Sequence, residues 1–393
     1  MNIRNYRITF ASSYVGYVIQ AIVVNFPPLL FVTFIKSYGL SLGAISVLIV
    51  MTFAIQLIID IVSAKILCQK NIRALGIAAL LSSAIGLILL AVLPSIMSNT
   101  FAALIISATI YSAGSGLIEV VISPIVEACP SENKSAAMSL LHSFYCWGSA
   151  FTILIATGFF ALFGIENWKI LSIVLAAVPL LNLIGFSIMP IGKIDHSEEN
   201  SGCSLKSFNF AVMMIIMLCG GAAEIAISQW ASAFAESGLH ISKAAGDIAG
   251  PCLFAIMMGC GRVLYSLLSG RLQLRKYMTF SAILCTAGYA IAVFSPVPAI
   301  SLAGIAICGF AVSIFWPGTL SLASARFGAP AAMFGLLAFA GDIGCTIGPS
   351  TVGMVSGLFD DNLKAGLMFA TAFPIIMLIG MVLLKRLEHK DSV

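Results

Sequence analysis

Two carboxylates stand inside apolar sequence. Glu119 lies in Tyr111-Ser-Ala-Gly-Ser-Gly-Leu-Ile-Glu119-Val-Val-Ile-Ser-Pro124, and Glu224 in Gly220-Gly-Ala-Ala-Glu224-Ile-Ala-Ile-Ser-Gln229-Trp230. A charged side chain at the centre of a membrane helix costs about 2.5–3.5 kcal/mol on insertion scales. Such a residue is kept where it faces a water-filled cavity, a partner or a substrate. Burial favours the neutral form of a carboxylic acid. An acid whose access alternates can therefore take up and release a proton, which is what proton coupling requires. Glu119, Glu224 and His142 are the candidates for that chemistry. The plainer alternative is that each holds helices together through a hydrogen bond.

Other side chains extend the set. Gln229 and Trp230 follow Glu224 by about one and a half turns. A ring with an acid and an amide beside it suits a sugar, whose C–H face stacks while its hydroxyls bond the polar groups. Gln20 and Asn25 near the N-terminus add amides, and Trp316, just before Pro317, adds a second ring. A tryptophan near a helix end is also a common interface anchor. His142, in Leu140-Leu-His142-Ser-Phe-Tyr-Cys-Trp147, either relays protons or packs through a hydrogen bond. Arg262 reads as a structural or gate charge. Asp342, among Gly341, Gly344 and Gly348, is a secondary candidate for coupling or for a gate pair. Asp60 and Glu127 fall near helix ends and are expected to make loop contacts that lock one conformation.

These residues need helices to carry them. The chain has 393 residues, of which 60% are hydrophobic and 9% charged, against roughly 25% charged in a soluble domain. Mean hydropathy is +1.07. Apolar runs of about 20 residues match helices crossing a bilayer rather than barrel strands. We expect an all-α polytopic membrane protein of twelve spans, roughly 9–34, 41–64, 74–95, 99–124, 136–163, 168–190, 208–234, 246–269, 277–295, 298–320, 330–356 and 365–385. The polar stretch 192–207 divides an N-terminal six-helix bundle, 1–191, from a C-terminal one, 208–393.

Of the 20 lysines and arginines, fifteen fall on one side of this layout. Lys36, Lys169, Lys243 and Lys364 fall on the other, and Arg262 lies within a span. Basic residues stay on the cytoplasmic side, so the expected orientation is N-in and C-in. No basic stripe points to nucleic acid. No zinc spacing or Cys-x-x-Cys pair occurs among the ten cysteines, no phosphate-binding loop is present and no nucleophile elbow. The expectation is therefore no enzyme, no cofactor and no metal. Gly116…Pro124 and Gly309…Pro317 share a spacing, and Ala136-Ala-Met138 is matched by Ala331-Ala-Met333. Parallel repeats of this kind mark secondary transporters.

The layout resembles the major facilitator superfamily. Gly116-Leu-Ile-Glu119 with Pro124, and Gly221-Ala-Ala-Glu224 with Trp230 and Gly261-Arg262, resemble its fucose-permease branch of sugar:proton symporters. By that resemblance Glu119 matches a span-4 carboxylate used in substrate binding and proton coupling. The chain departs from the family in three places. Span 1 has no acid, only Gln20 and Asn25. The loop motif after span 2 is reduced to Cys68-Gln-Lys-Asn71-Ile-Arg73. Ser123-Pro124 stands where an Asn-Pro step is usual. The resemblance implies two pseudo-symmetric bundles that rock around a midplane site holding Glu119; from the residues themselves we expect Gln20, Asn25, Glu224, Gln229, Trp230 and Trp316 to line it as well. It implies proton-coupled uptake of a monosaccharide or similar small polar solute, with sodium as the alternative ion. The setting would be a bacterial cytoplasmic membrane, with the protein working as a monomer. The rival readings are a drug or metabolite exporter on the same fold and a non-transporting membrane sensor.

Overall fold

The computed structural model describes residues 6–66, 72–130, 134–192, 207–268, 273–327 and 331–391. Among these the chain forms twelve helical spans and no strand. They are α1 (Arg7–Tyr38), α2 (Leu42–Ile66), α3 (Ile72–Ile96), α4 (Thr100–Glu127), α5 (Lys134–Phe163) and α6 (Trp168–Ile188). The second six are α7 (Phe208–Ala233), α8 (Lys243–Asp247, a π-helical stretch Ile248–Cys252, and Leu253–Leu268), α9 (Leu274–Phe294), α10 (Pro298–Val312 and Phe315–Phe327), α11 (Ala331–Leu358) and α12 (Leu363–Ala370 and Ala372–Asp391). Eleven are long and apolar enough to cross a membrane; α11, with 28 residues, completes the twelve.

Interruptions follow local chemistry. Proline lacks an N–H and clashes with the carbonyl four residues back. Pro27 and Pro28 accordingly sit in a 3-10 turn inside α1. In α10 the helix breaks at Ser313 and Ile314, where Pro317 would clash with the Ser313 carbonyl. Pro124, at the matching position of the first half, lies within a continuous α4.

By internal contacts the chain divides into two compact units, Met1–Leu40 with Met51–His196, and Ser41–Val50 with Ser197–Val393. Residues 41–50, assigned by sequence to the first half, group with the second because buried Ser46 lies against Gly353 of α11. The 192–207 linker falls almost wholly outside the described residues.

In the first unit the main helix pairs are α3 with α4 and α6, and α1 with α4, α5 and α6. In the second they are α9 with α10 and α12, α7 with α10, α11 and α12, α8 with α10, and α11 with α12. Adding six to each number of the first set gives five of the pairs in the second. A core of Ile19, Leu80, Ile118, Ile122, Ile125 and Phe186 binds α1, α3, α4 and α6. Arg73 closes the end of this bundle. Its guanidinium donates to the carbonyls of Phe186 at 2.9 Å, Ser187 at 2.5 Å and Met189 at 2.7 Å, where the C-terminus of α6 has no intrahelical donors left. In the second unit α7 and α11 touch backbone to backbone. A Cβ on Gly344 or Gly348 would strike the carbonyls of Leu218 or Ala222, the small-residue packing that membrane helices favour.

Replacing Arg73 by alanine should destabilise the first unit by roughly 2 kcal/mol or more, since bonds from a charged donor contribute about 1.5–3 kcal/mol each. Thermal melting of the detergent-solubilised protein reads this. Lysine should restore only part, because an ammonium cannot fork across three carbonyls. An unchanged melting curve for Arg73→Ala would show that the cap is dispensable.

Candidate functional site

Glu119 sits on α4 within a stripe that repeats every fourth residue. Tyr111 bonds Thr52, Ser115 accepts from Gln56 Nε2 at 2.8 Å, Glu119 Oε2 accepts from Gln20 Nε2 at 2.8 Å, and Ser123 Oγ meets Tyr17 Oη at 2.9 Å. At 3.6 residues per turn, four residues advance the stripe by about 40° beyond a full turn. The stripe therefore turns from α2, which supplies Thr52 and Gln56, to α1, which supplies Gln20 and Tyr17. Glu119 stands at the crossover. Antiparallel α1 and α4 put Tyr17 opposite Ser123 and Gln20 opposite Glu119. Gly16 leaves room for the Ile122 side chain at this contact, which a Cβ there would displace.

Glu119 is partly buried, and its hydrogen-bond partner among the described residues is a neutral amide. Gln20 is only 6% exposed, and its Oε1 accepts no hydrogen bond. A buried acceptor left unsatisfied costs about 1–3 kcal/mol. A donor brought by a bound molecule would remove that cost, so this spot favours hydroxyl or N–H groups. His142 is exposed, and its ring meets Tyr17 edge-on at 5.1 Å between centroids. The first unit thus gathers Tyr17, Gln20, Glu119, Ser123 and His142. Asn25 is engaged in packing. Its Nδ2 donates to Ala21 O and to Ser149 Oγ, both at 2.9 Å, and so ties α1 to α5.

In the second unit Glu224 is partly buried on α7, and the Arg262 guanidinium on α8 lies close enough for its charge to act on the carboxylate. Gln229 is buried. Trp230 requires a correction. Its ring is 0% exposed, and Nε1 donates to Pro349 O at 2.8 Å. Protein fills both faces, so in this structure the indole is a packing element and offers no stacking surface. Trp316 is partly buried against Gly341 of α11, the residue before Asp342. Asp342 is also partly buried, and its carbonyl accepts from Thr346 Oγ1 at 3.0 Å. The side chains of Asp60 and Glu127 lie outside the described residues.

The structure adds groups that residue-by-residue reading passes over. Tyr17 and Gln56 look like ordinary span residues until the four-residue stripe on α4 is traced. Asp247, 1% exposed, is held by Lys243 at 2.8 Å and by Ser232. Lys243 Nζ also donates to Ser232 at 3.0 Å. The i, i+4 spacing of Lys243 and Asp247 is the signal that finds this pair. Two π-helical stretches, Phe234–Gly238 and Ile248–Cys252, flank it. No group of three metal-ligating side chains occurs among the described residues. The eight cysteines among them are free thiols.

The chain belongs to the Major Facilitator Superfamily, whose profile it matches over residues 10–349. The members of that family are transporters. No curated protein matches it at the sequence level. Solved structures of similar fold include the E. coli fucose:proton symporter, with 18% identity, a TM-score of 0.65 and 97% and 99% of the two chains covered. A bacterial homologue of the human lysosomal transporter Spinster, inward-facing and occupied, has 14% identity, a TM-score of 0.77 and 97% of each chain covered. The nucleoside transporter NupG has 12% identity, a TM-score of 0.77 and 98% and 100% coverage. At these identities the likeness is one of fold. The chain is thus a multi-pass membrane protein of transporter fold.

Trp230→Phe keeps a ring but loses the bond to Pro349 O. It should lower stability by about 1 kcal/mol and leave solute affinity within about twofold, as scored by melting and by uptake kinetics. A large loss of affinity at unchanged melting temperature would restore the stacking role.

Proposed function

We propose that the chain is a proton-coupled secondary transporter. It takes up a monosaccharide, or a similarly small solute rich in hydroxyls, by alternating access. The observation that carries this reading is the Gln20–Glu119 pair: a carboxylate in an apolar bundle whose hydrogen-bond partner is neutral. Glu224 has the Arg262 charge acting on it. Among the described residues the hydrogen-bond partner of Glu119 is a neutral amide, and taking up a proton relieves the burial cost directly. Of the two acids, Glu119 is therefore the coupling residue.

The unmet acceptor on Gln20 and the hydroxyls of Tyr17 and Ser123 support a polyhydroxylated solute. The name of one structural neighbour, a fucose:proton symporter, supports the same class. Nucleosides carry comparable hydroxyls on their sugar and belong in any test panel. We place the protein in a bacterial cytoplasmic membrane, N-in and C-in, working as a monomer with H+ as the coupling ion.

The test is uptake into proteoliposomes with an imposed pH gradient, over a panel of sugars and nucleosides chosen by thermal shift. A true ligand stabilises the folded state by mass action. The wild type should accumulate its solute uphill. Glu119→Gln should lose at least tenfold of the pH-driven accumulation and keep downhill exchange. Wild-type pH dependence in that variant would refute the coupling role. Efflux of lipophilic cations with no sugar or nucleoside uptake would favour an exporter instead.

A further inference from the structure

The amide of Gln20 is bonded on one side only. Its nitrogen donates to Glu119 Oε2 at 2.8 Å, and its oxygen, in a side chain 6% exposed, has no partner. An amide presents two ends of opposite hydrogen-bond sense. A carboxylate only accepts, so an ionised Glu119 requires the amide nitrogen toward it and the amide oxygen away. A protonated Glu119 carries an O–H and can donate. If the amide then turns over about its last bond, its oxygen accepts from that O–H and its NH2 group faces the other way.

We propose that Gln20 is an amide switch that reads the proton on Glu119 and inverts the hydrogen-bond sense of the site. One proton from water binds a Glu119 oxygen. The bond from Gln20 Nε2 to Glu119 breaks, and a bond from the Glu119 hydroxyl to Gln20 Oε1 forms. With Glu119 ionised the site presents an acceptor to the solute; with Glu119 protonated it presents a donor. The proton thus changes which solute atoms the site holds without any helix having to move. The inference rests on the proposed coupling role of Glu119 and names the residue through which the proton acts. It also gives a reason why this chain works without an acid in α1: an amide can answer a proton on its neighbour without titrating itself.

Other titratable groups of the first unit have contacts of their own. On α1, Tyr17 bonds Ser123. On α5, His142 meets the Tyr17 ring. On α3, Arg73 is engaged by the end of α6. Gln56 of α2 is neutral and bonded to Ser115. The described part of α1 carries no carboxylate.

Difference infrared spectroscopy of the full chain in liposomes tests this. The protein is titrated with acid after labelling its glutamine side-chain carbonyls with carbon-13. Subtracting spectra of Gln20→Met, or of Gln20→Asn if the former folds poorly, isolates the Gln20 band. The expected result is that this carbonyl band shifts to a hydrogen-bonded position in the same pH step in which the Glu119 acid band appears, and that Glu119→Gln abolishes the shift. Gln20→Met should also lose at least tenfold of pH-driven accumulation while its Glu119 band still titrates. A Glu119 acid band that appears with the Gln20 band unmoved overturns the switch and leaves the coupling role standing. A Glu119 band that never appears overturns both.

Discussion

Hydrocarbon offers no hydrogen bonds, and that constraint governs every polar side chain on these helices. Each must find its partner within the protein. Hydroxyls solve the problem locally by bonding back to the carbonyl four residues earlier, as Ser83, Ser107 and Thr152 do. Amides solve it between helices, as Gln56 and Asn25 do. Arg73 solves it at a helix end, where carbonyls stand free. Three of the partly or fully buried carboxylates have different solutions: Asp247 takes the Lys243 ammonium, Glu224 the field of Arg262, and Glu119 a neutral amide. The first two carry their own counter-charge and suit structural roles. The third is the one to which we assign the coupling proton.

That difference depends on backbone geometry as much as on residue type. Gly16 leaves the room that the Ile122 side chain takes where α1 meets α4, beside the point at which a glutamine reaches a glutamate. The four-residue stripe on α4 turns slowly about the axis, so its upper members bond α2 and its lower members α1. A stripe repeating every three residues would drift the other way and separate these partners. In the second unit, Gly344 and Gly348 press α11 onto α7. The same contact encloses Trp230 and turns its indole toward Pro349 O.

The internal repeat is visible at two levels. Matched Gly…Pro spacings occur in α4 and α10, and matched helix pairings occur within each unit. The halves have nevertheless diverged where proline meets the helix. Pro317 has a broken helix upstream, while Pro124 lies near the end of an unbroken one. The same divergence reaches the acids: one half holds Glu119 beside an amide, the other holds Glu224 beside an arginine.

Composition and periodicity were enough to establish twelve apolar helices, and the cost of charge in lipid was enough to single out Glu119, Glu224 and Arg262. Those are properties of a residue and its near neighbours in the chain. Gln20 was legible as a polar residue in span 1, but its bond to Glu119 was not. Trp230 misled for the same reason: a tryptophan six residues from an acid has one sequence signature whether it lines a cavity or is sealed beneath a neighbouring helix. Asp247 was passed over because its partner Lys243 counted as a loop charge until the helix was seen to begin there. Which polar groups meet depends on the rotation of each helix about its axis and on its register against the next. Both are set by the packing of small residues across distant segments, so the tertiary structure alone decided them.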